Sequence, residues 1–205
     1  MFIIQVKYFN ARSLRSKISS LHSTLYNDSY DVICITESWL NDFITDGLLD
    51  PRGLYNIYRR DKLSDHPSGG VCIFVKRVIN SSLVHVDYNL YAGAEVCACN
   101  IYDNLHVFCT IICCYLAPGI SNESFSNSIK CLHQLCLGGV RPLLLGDYNL
   151  PNINWVTGYF PSDFKYKVFF DFYSEFGFYQ FIHESTRGSN VLDLLLTNDP
   201  LLLSS

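Results

Sequence analysis

An aspartate and an asparagine follow an apolar run in the segment Gly146-Asp147-Tyr148-Asn149. The preceding residues 142–145 are typical of a buried strand, and Gly146 permits a tight exit from it. The two polar side chains can project into one cleft at the strand end, where open sheets place their sites. A carboxylate can accept a proton or bind a hard cation, and an amide can donate hydrogen bonds. Taken alone, the segment also fits an ordinary turn after a strand.

Four more polar residues stand at the ends of apolar runs or within one. Asn10 follows the first run, Glu37 the second and Tyr115 a long later one, while Asp193 is embedded in the run 191–196. Asn10 also fits the start of a helix, Glu37 an exposed surface charge and Tyr115 ordinary packing. Asp193 is harder to explain in this way, because an unpaired buried carboxylate is costly.

The elements that must position these residues follow from the apolar periodicity. It predicts strands at 2–9, 31–36, 55–58, 71–75, 83–88, 94–102, 105–115, 142–145 and 191–196. It predicts helices from Ser13, as the cap, to about Tyr26, at 122–137 with Ser121 or Asn122 as the cap, and at 163–176. Helices that alternate with apolar and amphipathic strands favour an α/β sandwich of two packed sheets flanked by helices.

Composition places the chain among globular proteins. Its 205 residues are 49% hydrophobic and 17% charged, which favours a single domain spanning 1–205 with a substantial core. The net charge of −4 provides no global positive field toward nucleic acid, although a local basic patch can suffice.

Nine cysteines without a C-x-x-C pair lie mostly in apolar runs, so we interpret them as small buried hydrophobic residues in a reducing compartment. A zinc site or a disulfide framework is the alternative. The start of the chain lacks the features of a secretory signal, and no apolar run reaches the ~20 residues of a membrane helix. The sequence therefore predicts an intracellular protein that is not secreted and has no membrane partner, and it leaves nuclear entry open.

Five strings in order resemble the endonuclease/exonuclease/phosphatase family, which has the DNase I-like fold. They resemble most the endonuclease domain of non-LTR (LINE-type) retrotransposons. The strings, spread over residues 8 to 200, are N-A-R-S-L, I-T-E-S-W-L, Y-R-R-D followed by G-G-V-C-I-F-V-K, G-D-Y-N-L-P-N-I-N-W and T-R-G-S-N-V-L-D-L-L-L-T-N. The resemblance implies a four-layer α/β sandwich of two mainly antiparallel sheets.

The resemblance also implies roles in metal-dependent phosphodiester hydrolysis. Glu37 would bind Mg²⁺ or Mn²⁺ with Asn10 as a neutral ligand, and Asp147 would accept the proton of the attacking water or orient it. Asn149 and Tyr115 would donate hydrogen bonds to phosphate oxygens as charge develops.

The family's last motif, a Ser-Asp-His triplet, has no counterpart before Ser205. Asp193 would orient a catalytic histidine, and none of the six histidines occupies the matching context. Losing two catalytic groups should lower the rate by orders of magnitude. The absence predicts a C-terminally truncated domain with an exposed sheet edge, either a truncated copy of a mobile element or an incomplete gene model.

Arg59 and Arg60 are candidates for contacts with a phosphate backbone, or else form surface ion pairs.

The sequence and the resemblance leave three alternative functions. The first is a DNA-nicking endonuclease domain whose full-length element would carry a downstream reverse transcriptase that primes from the 3′ hydroxyl. The second is a phosphoesterase of the same fold that acts on a lipid or small phosphate ester. The third is a catalytically inactive remnant or binding module.

Overall fold

Two mixed β-sheets pack face to face in the computed structural model, which describes residues 3–62 and 68–203. The first sheet contains β1 (Val6–Asn10), β2 (Val32–Thr36), β3 (Tyr55–Arg60) and β4 (Val71–Lys76), in the order β1-β2-β4-β3. Strands β1 and β2 are parallel, so their carboxyl ends lie at the same edge of the sheet, and the other two pairs are antiparallel.

The second sheet has six strands in the order β5-β6-β7-β8-β10-β9. They are β5 (Ser81–Val84), β6 (Glu95–Asp103), β7 (His106–Tyr115), β8 (Pro142–Asp147), β9 (Tyr179–Gln180) and β10 (Asp193–Thr197). Strands β7 and β8 are parallel, and the other pairs are antiparallel.

Helices cover the outer face of each sheet. They are α1 (Ile18–Asn27), α2 (Asp46–Leu49), α3 (Asn122–Gly138) and α4 (Phe164–Glu175), and a 3-10 turn follows at Pro200–Leu202. Helix α3 begins as the sequence predicts, because the Ser121 side chain accepts a hydrogen bond from the Ser124 N–H. Over the two described ranges, no helix combines the length and the apolar character needed to cross a membrane.

Three apolar clusters hold the layers together. One lies between the two sheets and includes Ile73, Ile111 and Leu145. A second joins α3 and α4 to the six-stranded sheet, and a third joins α1 to the four-stranded sheet. The predicted fold class is therefore confirmed: two sheets form the inner layers of an α/β sandwich, and helices form the outer layers.

The first helix begins four residues later than the sequence predicts. It starts at Ile18, and Ser13 is not its cap. The backbone N–H groups of Ser13 and Leu14 instead donate to the carbonyls of Glu37 and Ser38, both at 2.9 Å. These contacts hold the segment after β1 against the segment after β2, which an uninterrupted helix from Ser13 would prevent.

All nine cysteines lie in the described ranges, and every one is buried with a free thiol. Burial raises the pKa of the Cys136 thiol to about 12, and burial likewise raises that of Cys131 to about 12. A thiol protonated at neutral pH is a poor nucleophile and a poor metal ligand. These residues therefore serve as core side chains.

Gly146 is required by the close approach of β7 to β8. A Cβ atom on Gly146 would lie 1.9 Å from the carbonyl oxygen of Cys114, its partner in the parallel ladder. We expect Gly146→Ala to lower the free energy of unfolding by roughly 3 kcal/mol, because backbone must shift to admit the methyl group. Urea denaturation measures this loss.

The matched control is Gly138→Ala at the end of α3, where a Cβ meets nothing within 4 Å. Alanine favours a helix over glycine by up to about 1 kcal/mol, so this variant should be as stable as the parent or more so. Equal stabilities for the two alanine variants would contradict the close-approach explanation.

Tyr148 carries a hydroxyl group into the core without a partner. Its side chain is 1% exposed and packs edge-on against Phe169, with the ring centroids 5.4 Å apart. Within residues 3–62 and 68–203 the hydroxyl has no hydrogen bond. Tyr148→Phe should therefore raise the free energy of unfolding by about 1 kcal/mol, because an unsatisfied buried polar group is removed. A loss of stability in urea denaturation would show that the hydroxyl is satisfied.

Candidate functional site

Four polar residues form a row across the six-stranded sheet. Glu95 on β6 is directly opposite Tyr115 on β7, Tyr115 is opposite Asp147 on β8, and Asp147 is opposite Asp193 on β10. Directly paired residues project from the same face of a sheet. Strand pairing therefore brings together three of the predicted site residues, although they are distant in sequence.

Asn10 joins this row to the other sheet. Its Nδ2 donates to Glu37 Oε1 at 2.7 Å and to Asp147 Oδ2 at 3.0 Å. The amide oxygen accepts from the Arg12 N–H at 3.1 Å, which fixes the orientation of the side chain. Asn10 therefore holds two carboxylates from opposite sheets together through its amide nitrogen, while its ligand role remains a prediction.

Glu37 is directed into the cleft by an unusual backbone conformation. It has φ of +49°, in the left-handed region that costs free energy for any residue with a Cβ. The neighbouring chain fixes this kink: the Ser38 N–H donates to the Gly70 carbonyl at 3.1 Å, and the Trp39 N–H donates to Gly69 at 2.9 Å.

Asp147 is buried, with 1% of its surface exposed. Burial first, and then the charge of Asp193, raise the pKa of its carboxyl group, while Arg187, the Asn149 N–H and Asn10 oppose the rise, and the net pKa is about 6. A buried carboxylate with a raised pKa is a suitable proton acceptor near neutral pH.

Asn149 and Tyr115 both border Asp147. The Asn149 N–H donates to Asp147 Oδ1 at 3.1 Å, and its Nδ2 donates to the Leu116 carbonyl at 2.7 Å. Burial raises the pKa of Tyr115, and the charges of Glu37 and Asp147 raise it further. The Tyr115 phenol therefore stays protonated at neutral pH and can act as a hydrogen-bond donor.

Asp193 has a polar partner that the sequence does not reveal. The Tyr8 hydroxyl donates to Asp193 Oδ1 at 2.6 Å and lies 2.9 Å from the Thr36 Oγ1. Over residues 3–62 and 68–203, no histidine hydrogen-bonds to Asp193. Because β1 supplies the phenol and β10 the carboxylate, the bond forms only when the two sheets pack together.

Two charged residues of the site were missed from the sequence. Glu95, 7% exposed, accepts from the Gly70 N–H at 2.5 Å and pairs with Lys62 Nζ at 3.0 Å. Arg187 places Nη2 3.6 Å from Asp147 Oδ2. The sequence shows a glutamate at the start of a predicted strand and an arginine in the T-R-G-S-N string. It does not show that Glu95 lies beside Tyr115 or that Arg187 lies beside Asp147.

Arg59 and Arg60, predicted to contact substrate, are not brought to these carboxylates. The Arg59 guanidinium bonds to Asp61, Asp46 and the carbonyl of Ile44. The Arg60 guanidinium lies 3.8 Å from the ring centroid of Tyr88. The contacts of Arg59 connect β3 to Ile44 and to the first residue of α2, Asp46, so they fix this segment on the sheet.

Three solved structures share this architecture. The endonuclease domain of TRAS1, a telomere-specific non-LTR retrotransposon, aligns with a TM-score of 0.67 at 14% identity, covering 98% of this chain and 87% of that chain. The 3′ phosphatase NExo from Neisseria, bound to a product DNA hairpin, aligns with a TM-score of 0.69 at 12% identity, covering 98% and 88%. An AP endonuclease from Archaeoglobus fulgidus aligns with a TM-score of 0.66 at 15% identity, with the same coverage. Identities this low establish the fold alone.

No curated protein matches the sequence. The model of the endonuclease/exonuclease/phosphatase family matches residues 8–205, which is nearly the whole chain. A match of this extent, together with the two-sheet fold and the polar row at the strand ends, identifies the chain as a member of the endonuclease/exonuclease/phosphatase family.

Proposed function

We propose that this chain is a metal-dependent phosphodiesterase that nicks DNA, as the endonuclease domain of a LINE-type retrotransposon. The observation that carries the proposal is the Asn10 amide, which bridges Glu37 and Asp147 at the edge where both sheets end. The similarity to the TRAS1 endonuclease domain and the retroelement-like strings support the retrotransposon origin. A downstream reverse transcriptase and a nuclear site of action belong to the same proposal.

The site residues fit a hard divalent cation. Glu37 and Asp147 offer carboxylate oxygens, the type of ligand that Mg²⁺ and Mn²⁺ prefer, and the Asn10 amide nitrogen holds these two carboxylates together. In the described ranges, no three His, Cys, Asp or Glu residues converge as a complete metal-binding group. Mg²⁺ is usually held by one or two carboxylates, with waters and substrate phosphates completing its shell, so a sparse protein ligand set suits it. When bound, the cation would neutralise negative charge on the phosphate and on the site carboxylates.

The chain's own residues supply the proton transfer and the hydrogen bonds. The oxygen of a water molecule forms a bond to phosphorus and its proton passes to Asp147. The bond from phosphorus to the 3′ oxygen breaks as that oxygen takes a proton from solvent, leaving a 3′ hydroxyl and a 5′ phosphate. Tyr115 and Asn149 donate to the phosphate oxygens as negative charge builds on them.

A local basic strip supports DNA as the substrate despite the net charge of −4. Arg12, Arg15 and Lys17 follow Asn10 and are all exposed, and residues 1–27 contain no aspartate or glutamate. Lysine and arginine contacts with phosphates provide most non-specific affinity for DNA. The strip follows the bridging Asn10 in the chain, and Arg15 Nε donates to the Trp39 carbonyl at 2.6 Å, two residues after Glu37, which supports contact of these cations with a duplex.

A second candidate is an inactive remnant or a binding module. The observation that favours it is the Tyr8–Asp193 hydrogen bond, which gives Asp193 a partner other than a histidine. A same-fold phosphoesterase for another phosphate ester is a third, supported by the similarity to the 3′ phosphatase. Activity assays separate these candidates.

The decisive assay is nicking of supercoiled plasmid by the purified 205-residue chain with Mg²⁺ or Mn²⁺. Glu37→Ala and Asp147→Ala should each reduce nicking at least about 100-fold, because each removes a cation ligand or the proton acceptor. Glu123→Ala on the outer helix α3 is the control and should nick as the parent does.

Nicking that survives both substitutions would contradict the assigned roles. A folded parent chain that never nicks, but binds duplex DNA, would instead establish the binding module. Hydrolysis of a small phosphate monoester without nicking would establish the other phosphoesterase.

Tyr8→Phe tests whether the phenol supports the site. The variant removes the donor to Asp193, and a hydrogen bond to a charged group contributes about 1.5–3 kcal/mol, so kcat should fall roughly tenfold or more while KM changes little. Steady-state nicking kinetics measure both constants. Tyr102→Phe is the matched control, since it removes a phenol that bonds to Ser82 at the opposite end of β6. Equal kcat values for the two variants would show that Asp193 does not need Tyr8.

A further inference from the structure

Arg187 is a cation beside the carboxylates of the site. Its Nη2 lies 3.6 Å from Asp147 Oδ2, and its side chain is 39% exposed whereas that of Asp147 is 1% exposed. Among Glu37, Asp147 and Asp193, only Asp147 forms an ion pair within residues 3–62 and 68–203. The guanidinium therefore lies between a buried carboxylate and the open side of the cleft, where a substrate would enter.

A short turn places Arg187 there. The Asn190 carbonyl accepts from the N–H groups of Thr186 at 2.9 Å and Arg187 at 3.1 Å, and the Asn190 N–H donates back to Arg187 at 3.0 Å. Gly188 closes the turn with φ of +60°, a conformation that glycine adopts without steric cost. The turn is thus held by its own backbone hydrogen bonds.

The turn is also tied to the catalytic strands. The Thr186 hydroxyl accepts from the backbone N–H groups of Leu192 at 2.9 Å and Asp193 at 3.1 Å. Asp193 is directly opposite Asp147 in the sheet, and the Tyr148 N–H donates to the Leu192 carbonyl at 2.9 Å. The position of Arg187 is therefore set by the same strand pairing that sets the position of Asp147.

The guanidinium retains hydrogen bonds to offer. It carries five N–H donors in a planar fork that matches phosphate oxygens, and the ion pair with Asp147 is long for a tight bond. Its charge also reaches Tyr115: burial, Glu37 and Asp147 raise the pKa of that phenol, and Arg187 opposes the rise. Arg187 therefore adjoins Asp147, the proposed proton acceptor, and acts electrostatically on Tyr115, the proposed donor to the phosphate.

We propose that Arg187 is a catalytic residue that donates hydrogen bonds to the non-bridging oxygens of the scissile phosphate and stabilises their charge in the transition state. This assignment rests on the proposed phosphodiesterase function. The Arg187 guanidinium would supply a positive charge from the chain itself, beside Asp147 and next to the turn at residues 186–190. The competing explanation is that Arg187 only neutralises the buried Asp147.

Kinetics distinguish the two roles. We expect Arg187→Ala to lower kcat for plasmid nicking about 100-fold or more at saturating Mg²⁺, and Arg187→Lys to retain part of the rate because it keeps the charge but loses the fork. Millimolar guanidinium chloride should restore part of the rate of Arg187→Ala. Arg77→Ala, an exposed arginine just past the end of β4 remote from the site, is the control for charge and for any general effect of guanidinium.

Binding provides a readout that is independent of turnover. A short duplex with one neutral methylphosphonate at its central linkage lacks the charge that Arg187 would contact there. The parent and Arg77→Ala should bind it about tenfold more weakly than the natural duplex without added metal. Arg187→Ala should bind both duplexes equally, because this variant lacks the guanidinium that would contact the phosphate charge.

The outcomes separate the two proposals. If the parent nicks and Arg187→Ala keeps its kcat, the role of Arg187 is overturned and the proposed function stands. The same conclusion follows if guanidinium does not rescue Arg187→Ala and this variant still binds the methylphosphonate duplex more weakly than the natural one. A parent that fails to nick, yet loses its discrimination on Arg187→Ala, overturns the nicking activity and upholds the phosphate contact. A parent that neither nicks nor binds either duplex overturns both.

Discussion

The amide of Asn10 is the contact on which the site depends, because it joins carboxylates carried by different sheets. Glu37 follows the second strand of one sheet, and Asp147 ends the fourth strand of the other. A donor between two carboxylates offsets their mutual repulsion, and the Asn10 Nδ2 supplies one N–H group to each. The apolar cluster between the sheets fixes their relative position closely enough for this bridge to form.

Strand pairing provides the second level of organisation. The row of Glu95, Tyr115, Asp147 and Asp193 requires four strands in correct register, and a slip of one residue would turn a whole strand's side chains to the opposite face. Gly146 supports that register, since no side chain fits between β8 and the Cys114 carbonyl. The register of this row thus depends on how closely the backbone of β7 packs on β8.

The structure also changes the meaning of individual residues. Asp193, for which the sequence offers no histidine, receives the hydroxyl of Tyr8 from the opposite sheet. Arg59, a candidate for contacts with phosphate, is bound by Asp61 and Asp46. Ser13, expected to cap a helix, instead lies in a turn that is hydrogen-bonded to the Glu37 carbonyl. Each difference arises from a contact between residues that are not local in sequence or from a backbone turn that side-chain periodicity does not report.

The sequence by itself determined the fold class, most strands and the start of α3 to within one residue, and it named the candidate site residues, because apolar periodicity and short motifs are local properties. Only the tertiary structure decided that Asn10 bridges two carboxylates, that burial raises the pKa of Asp147, and that Arg187 and Glu95 lie beside the candidate residues Asp147 and Tyr115. These features share one physical reason. Burial, the distances between charges and hydrogen-bond geometry depend on which strands become neighbours, and strands become neighbours only when the sheets form and pack.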